Sequence, residues 1–318
     1  VHAASGADLL IIASQQPLTS PDWTVVNAPG VQEDLKRNYP LTPVAFDATR
    51  IADRASLAPL LDTWQTVNSD YYPIVDLGAE RTRFLKTRAM GFLGTASDRF
   101  DIISLYNGTS RVLPQVQQSP AEMPRLMKAA YTERVRATVN GQPVDSTGPG
   151  SFNGVPVSAW EVQTFEAHMA SGRLPVSWRQ WATTLTFVDG SLHAASLGAV
   201  DEAFYGRVRA YLDRVKAPDG PRRAVQFLYG LGTLNFAAAA EATTFLEAEF
   251  KANRNWVDPA VLRNAGVIAR LKVGDVNGAE RLLDAMTQPA QREDARTLLL
   301  KAYVRAIRGP VPEKPAGS

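Results

Sequence analysis

The chain has 318 residues, of which 45% are hydrophobic, with Lys+Arg 34 against Asp+Glu 32 and no cysteine. This length predicts about two domains. The formal net charge of +2 argues against a large basic surface for nucleic acid. The absence of cysteine excludes disulfides, thiolate nucleophiles and cysteine metal ligands, and no apolar stretch approaches the ~20 residues of a membrane-spanning helix.

The first predicted element is a strand at Asp8–Ser14, a short apolar run that Pro17 follows. A continuous apolar run that ends before a proline is typical of a fully buried strand. Such a strand needs neighbours on both sides, so we expect the rest of its sheet to lie ahead of Val1. The pattern therefore predicts the tail of a larger α/β protein.

Short helices are predicted next, over 31–37 and 57–64. A terminal strand is predicted at 74–75, and an amphipathic helix over 81–92. The apolar run 101–108 is either a short helix or a non-helical segment, because periodicity alone does not decide between them.

The second half of the chain is predicted to be helical. A helix over 120–139 precedes a Gly-, Pro-, Ser- and Asn-rich segment, 140–156, which is the best linker candidate. Three further helices are predicted between Gly and Pro breaks, over 159–169, 178–187 and 199–215.

The last third contains a candidate repeat. Gly274-Asp275 has the composition of a turn, and Ala279 and Met286 then fall on one face of a helix. This pattern resembles the second helix of a tetratricopeptide repeat, where a small residue lets two helices approach closely. Leu234–Glu241 is a looser match about one repeat upstream. Generic helical packing is the alternative interpretation.

Two glycine motifs resemble cofactor-binding loops. Asp76-x-Gly78 resembles the start of a methyltransferase Asp-x-Gly-x-Gly loop, but Glu80 occupies the second glycine position and would collide with the cofactor. Gly230-x-Gly232 lies in an alanine-rich helical context and is interpreted as a helix-packing site. Neither motif predicts a cofactor.

The histidines, His2, His168 and His193, are too far apart for a zinc site. On a helix, Glu166 and His168 would point to different faces, which argues against a catalytic pair.

Tryptophans and arginines each allow two interpretations. Trp160, Trp178 and Trp181 are interpreted as core residues, with a ligand groove as the alternative. Arginines near the end of the first region are interpreted as a solvated helix face, with contact to anionic lipid or an acidic partner as the alternative. These arginines are Arg81, Arg83 and Arg88.

Two segments together resemble a known family. Spermidine-synthase-like proteins (polyamine aminopropyltransferases) carry a strand Asp-Leu-Leu-Leu-Ile-Ala-Ser, a Pro-Leu, a helical stretch and a strand Asn-Thr-Asp-x-x-Pro-Leu-Leu-Glu. The matching segments here are Asp8–Ser14, Pro17-Leu18 and Asn68–Asp76. The resemblance covers about the first 90 residues and includes bacterial members that are fused to a membrane domain and carry a helical extension.

The resemblance implies a doubly wound fold that binds decarboxylated S-adenosylmethionine and transfers an aminopropyl group to a diamine. The family's Gly-rich cofactor loop, its ribose-binding acid and its catalytic aspartate all precede the first strand found here. No catalytic residue, cofactor or metal site is therefore predicted for this chain; S-adenosylmethionine or its decarboxylated form is expected only in the intact protein.

Asn68 and Asp70 match the family's Asn-Thr-Asp positions, with Ser69 in place of threonine. The resemblance places them at the rim of the substrate pocket, as substrate-binding candidates. Capping of a turn before the last strand is the alternative role.

The predicted fold is mostly α with a partial α/β part: terminal strands of an S-adenosylmethionine-type, Rossmann-like domain, then an α-helical, tetratricopeptide-like domain. The predicted bounds are 1–90 for the α/β part, 91–157 for a helical connector with the linker, and 158–318 for the helical domain.

The expected function is a helical scaffold that binds a protein partner, without catalysis by this chain and without nucleic acid. The first alternative is part of an active aminopropyltransferase or methyltransferase whose catalytic residues lie ahead of Val1. The second is a self-contained helical binding module, which predicts an edge or unpaired first strand. We expect a soluble region of a membrane-tethered protein, with an upstream membrane domain; neither the side of the membrane nor the partner is predicted.

Overall fold

A computed structural model of the chain describes residues 2–3, 9–10, 16, 22–38, 52–63, 102–108, 131, 134–142, 154–193, 201–291 and 294–309. Several predictions lie outside these residues, including the second strand at 74–75, the helix at 81–92 and most of the linker. The described residues are mostly helical, at 78%, which confirms the mostly α part of the predicted fold.

The N-terminal part contributes a short antiparallel pairing. β1 (His2–Ala3) pairs with β2 (Leu9–Leu10), with His2 opposite Leu10 and Ala3 opposite Leu9. β2 lies inside the predicted strand Asp8–Ser14. In the described part of the chain, this two-stranded pairing is the observation that concerns the predicted α/β sheet. It does not confirm that sheet, which stays a prediction.

Four short helices follow the strands: α1 (Trp23–Val26), α2 (Pro29–Asn38), α3 (Arg54–Leu61) and α4 (Ile102–Tyr106). α2 confirms the helix predicted over 31–37. α3 begins earlier than predicted because Asp53 and Ser56 form a capping box, in which each side chain binds the other's backbone N–H. α4 settles the ambiguous run 101–108 as a short helix.

The helical region follows, after a helical segment at 134–139. Three of its helices coincide with predicted ones at 159–169, 178–187 and 199–215. Its helices are α5 (Val155–Ser171), α6 (Trp178–His193), α7 (Glu202–Arg214), α8 (Asp219–Gly232), α9 (Phe236–Lys251), α10 (Pro259–Lys272), α11 (Val276–Met286) and α12 (Ala295–Arg308), with a 3-10 turn at Pro289–Gln291.

Aspartate or asparagine caps mark where most of these helices begin. In each case the side-chain oxygen accepts a hydrogen bond from a backbone N–H of the first turn, which would otherwise lack a partner. The caps are Asp22, Asp53, Asp201, Asn235, Asp258, Asp275 and Asp294. Asp201 explains why α7 begins at Glu202 and not at the predicted Ala199.

The helices of the region pack in sequence order. α8 packs on α9, α9 on α10, α10 on α11 and α11 on α12, while α5 packs on α6 and α7, and α8 on α6 and α7. Buried apolar side chains from α3 to α12 form one continuous cluster in the described part of the chain. A smaller cluster joins Tyr131 and Val135 to Val155 and Ala159 of α5.

Two consecutive hairpins, α8–α9 and α10–α11, share the same turn. Leu234 and Gly274, forty positions apart, both have a positive φ, at 59° and 81°. The next residues, Asn235 and Asp275, both cap the following helix at its third N–H. The turn predicted at Gly274-Asp275 is therefore confirmed, and the upstream segment forms its counterpart.

α10 lies at the centre of the packing. Every residue from Val261 to Leu271 is buried, including Arg263 and Arg270. A helix that is buried all round needs neighbours on every side. α9, α11, α12 and the short helix α4 provide them.

Candidate interaction site

The candidate site is the face of α10 and α12 that α3 and α4 contact, which we call the docking face. α4 packs against α10, and its Ile102, Ile103 and Leu105 are at most 1% exposed. Three large apolar side chains of a five-residue helix are thus removed from water. Short helices hold a position in this way only when another surface buries their apolar side chains.

Tyr106, the last residue of α4, contacts one aromatic and one charged side chain. Its ring lies parallel to that of Tyr303 in α12, with centroids 3.6 Å apart and an interplanar angle of 1°. The Lys272 ammonium lies 5.2 Å from the Tyr106 ring centroid, within range of a cation–π interaction. Burial raises the pKa of the Tyr106 phenol, which stays neutral at physiological pH.

α3 occupies the α12 part of the docking face. Ser56 and Leu57 are buried, and the Tyr303 hydroxyl donates a 2.9 Å hydrogen bond to the Ser56 carbonyl. Asn107, just after α4, donates to the Asp53 carboxylate at the start of α3. Tyr303 therefore contacts both short helices, and a hydrogen bond joins the two helices to each other.

A buried ion pair involves α10, the helix that forms one part of the docking face. Arg270 of α10 donates to the Glu247 carboxylate of α9 at 2.8 Å and to the Gly278 carbonyl of α11 at 2.8 Å. The side chains of Arg270 and Glu247 are 6% and 12% exposed, and Lys251 also pairs with Glu247. These contacts fix α10 between the helices on either side of it.

A second charged group lies where α9 ends. Arg254 donates two hydrogen bonds to the Glu249 carboxylate, and the Trp256 indole N–H donates a third at 3.0 Å. The Arg254 bonds, followed by the Trp256 bond, lower the pKa of Glu249 to about 2. The Trp256 ring lies against Gly220, where an added Cβ would be 2.1 Å from the ring, so α8 requires glycine there.

The tryptophans divide between core and surface. Trp181 is buried and contacts Phe165, Trp178 and Tyr211, and Trp178 is partly buried beside it. The core interpretation is correct for these two and wrong for Trp160, which is 63% exposed. The buried residues of α5, such as Ala159 and Val162, form the side that faces the core. Trp160 lies on the opposite, outer side.

Glu166 and His168 do not pair with each other, but both contact the same helix, α7. His168 shares a 3.2 Å hydrogen bond with the Tyr211 hydroxyl, while Glu166 pairs with Arg207 at 2.6 Å. The side chains of His2 and His193 lie outside the described ones. Gly230 is a helix-packing site as predicted, because an added Cβ would be 2.9 Å from the Ala239 backbone nitrogen of α9.

The residues proposed from the family resemblance are not among those described. Asn68, Asp70 and the arginines of 81–88 lie outside, so their roles stay predictions. The apolar run of α4 is evident in the sequence, but the docking face that covers it is not. The signals available were the density of apolar residues in α4 and an α10 sequence that is apolar around most of its circumference.

The described ranges contain no group of three His, Cys, Asp or Glu side chains placed to hold a metal ion. None of the helices described has both the length and the apolar composition to cross a membrane.

Comparison with protein-family models, with curated proteins and with solved structures found no match for this chain.

Proposed function

We propose that the helical region is a scaffold that binds short helices on its docking face, and that α3 and α4 of the same chain are the bound helices. The observation that carries this proposal is the burial of Ile102, Ile103 and Leu105 against α10. Removing each such side chain from water contributes about 1.5–3 kcal/mol. Three of them offset the cost of ordering a five-residue helix that has no stability of its own.

The scaffold's architecture supports the same role. Arrays of stacked helical hairpins, of which tetratricopeptide repeats are one kind, offer extended faces that bind helices and peptides. The hairpins α8–α9 and α10–α11 repeat one turn and one cap forty positions apart. We propose that this repetition is tetratricopeptide-like and that α10 and α12 contribute the binding face.

Binding in trans tests the proposal. In the full chain, Ile103→Asp together with Leu105→Asp would release α4 and expose its seat on α10. A labelled synthetic peptide covering residues 99–110 should then bind this double variant, and bind the unmodified chain much more weakly because α4 already occupies the seat. Fluorescence anisotropy measures both affinities.

The matched control is the same peptide carrying Ile103→Asp, which should bind neither chain. Circular dichroism of the double variant checks that the remaining helices are intact. Equal binding of both peptides, or no binding to a helical double variant, would contradict a docking face on α10 and α12.

We further propose that residues 1–90 form the C-terminal part of a spermidine-synthase-like domain that α3 anchors to the scaffold. β2 lies in the first matching segment, and α2 and α3 are helices between the two matching strands, which supports the order of elements in that family. Tethering to a membrane through an upstream domain belongs to the same proposal.

Calorimetry with an S-adenosylmethionine analogue distinguishes the scaffold proposal from the alternative that the chain is part of an enzyme. We expect no binding by the 318-residue chain, because the cofactor loop of that family precedes the matching segments. Micromolar binding would contradict this expectation and favour the alternative of an aminopropyltransferase or methyltransferase site built partly from this chain.

A further inference from the structure

The loop between α5 and α6 exposes two aliphatic side chains next to each other. Leu174 is 66% exposed and Val176 is 104% exposed, with Pro175 between them. We call Leu174–Val176 the apolar apex. An exposed fraction above that of the free residue means that the Val176 side chain projects from the surface.

The apex is held in place by its surroundings. Gly172 ends α5 in a left-handed conformation, at φ 68°, which turns the chain sharply. The Tyr211 hydroxyl of α7 donates to the Arg173 carbonyl at 2.7 Å, and the Ser171 hydroxyl accepts from the Arg173 N–H. The two aliphatic side chains are therefore presented by a fixed backbone.

Cations lie in and next to the turn that carries the apex. Arg173 is exposed and forms no ion pair with a described residue. Arg214 contacts Gly172 and donates to the Met169 carbonyl, which places its exposed guanidinium beside the same turn. Of the nearby acids, Asp213 is paired with Arg222, and Asp219 begins α8. The local balance of charge is positive.

We propose that the apolar apex inserts into the surface of an anionic lipid bilayer, with Arg173 and Arg214 contacting the headgroups. Projecting aliphatic side chains next to exposed cations have the chemistry of an interfacial membrane contact. A protein partner would favour tryptophan, tyrosine or arginine at the centre of the contact, since leucine and valine are under-represented among binding hot spots. The site is separate from the docking face.

Vesicle co-sedimentation of the full chain tests the proposal. We expect binding to vesicles of equal parts phosphatidylcholine and phosphatidylglycerol, weak binding to vesicles of phosphatidylcholine alone, and a decline with added salt. Val176→Asp should weaken binding by about tenfold or more, because it replaces an inserted apolar group with a charge that the lipid repels. Arg173→Gln should weaken it by roughly fivefold.

Two further variants keep the test decisive. Val273→Asp changes an exposed valine in another loop, between α10 and α11, and should leave binding unchanged. Val176→Trp should strengthen binding, since tryptophan prefers the membrane interface. Absence of binding to anionic vesicles, or equal losses in Val176→Asp and Val273→Asp, would overturn the proposal; capture of an acidic peptide by the apex without vesicle binding would assign it to a protein partner.

Discussion

The hairpins α8–α9 and α10–α11 have the same turn and the same cap but very different surroundings. In α8, Gln226 and Tyr229 stay partly exposed, whereas the residues forty positions later in α10, Gly266 and Ala269, are buried. The first hairpin has a solvated polar side, whereas α10 of the second is buried on every side. α8 packs on α9, α6 and α7, whereas α10 packs on four helices, α9, α11, α4 and α12.

Ion pairs show the same contrast. Arg223 and Glu241 join α8 to α9 with side chains 36% and 63% exposed, whereas Arg270 and Glu247 join α10 to α9 with 6% and 12%. One helical motif thus supports either a solvated surface or a docking face. An added Cβ on Gly266 of α10 would lie 2.9 Å from Thr243 of α9 and 3.1 Å from Leu282 of α11, so this small residue allows both neighbouring helices to approach closely. Substitutions in α4 and in the two hairpins test this contrast.

The largest effect should come from α4. Ile103→Asp places a carboxylate where the side chain is 1% exposed, and should lower the free energy of unfolding by about 4 kcal/mol through lost burial and an unpaired buried charge. Urea denaturation followed by circular dichroism measures it. Val157→Asp, at an exposed position of α5, is the control and should change stability by less than about 0.5 kcal/mol. Similar losses in both variants would show that α4 is not part of the native core.

The second effect compares the two ion pairs. Glu247→Gln leaves the buried Arg270 guanidinium without its counter-ion, and should cost about 3 kcal/mol in the free energy of unfolding. Glu241→Gln makes the same change in the exposed pair and should cost much less, because water screens that pair. Chemical denaturation of the two variants side by side gives the difference. Equal values would mean that the contact of α10 with α9 is no better shielded from water than the contact of α8 with α9.

The third effect concerns the shared turn. Gly274→Ala places a Cβ at φ 81° and should cost about 1 kcal/mol in stability. In the first hairpin, Leu234→Gly relieves the same strain at φ 59° but removes a partly buried side chain, so the two contributions should nearly cancel. Thermal unfolding of both variants is the measurement. A large loss for Leu234→Gly together with no loss for Gly274→Ala would reject the equivalence of the turns.

The smallest effect should be a change in stability at low pH. The pKa of Glu249 lies at about 2 in the folded chain, against a usual value of 4.5. Its carboxylate therefore stabilises the fold fully at pH values above 4.5, and this contribution is lost as the pH falls toward 2. Glu249→Gln removes this contribution. The difference in unfolding midpoint between the two proteins should therefore shrink as the pH is lowered through this window. A difference that does not depend on pH would contradict a lowered pKa.

The helices of the second half could be predicted from local patterns. Gly172 and Pro175 separate α5 from α6, and the periodicity between such breaks is helical. The turn at Gly274-Asp275 was predictable because glycine favours a positive φ and aspartate favours a cap. Leu234 carries no such signal, since leucine rarely adopts a positive φ, and so its hairpin looked only loosely similar.

The docking face could not be predicted in this way. α10 and Tyr303 of α12, which form it, are separated by long stretches of chain from the residues that bind it, which are Leu57 of α3 and the apolar residues of α4. A periodic pattern shows which side of a helix is apolar, but not which distant segment covers it. Trp160 illustrates the same limit, because a tryptophan on a helix is more often buried, yet this one faces outward.

The hydrogen bond between Tyr303 and Ser56 spans 247 positions of the chain. At a synthesis rate of about 5–20 residues per second, α3 and α4 emerge from the ribosome roughly 10–50 s before α12 exists. For that interval α3 lacks the helix that it packs on, whereas α4 lacks its seat only until α10 has been made. The order of synthesis therefore completes the docking face in two steps, first for α4 on α10 and then for α3 on α12.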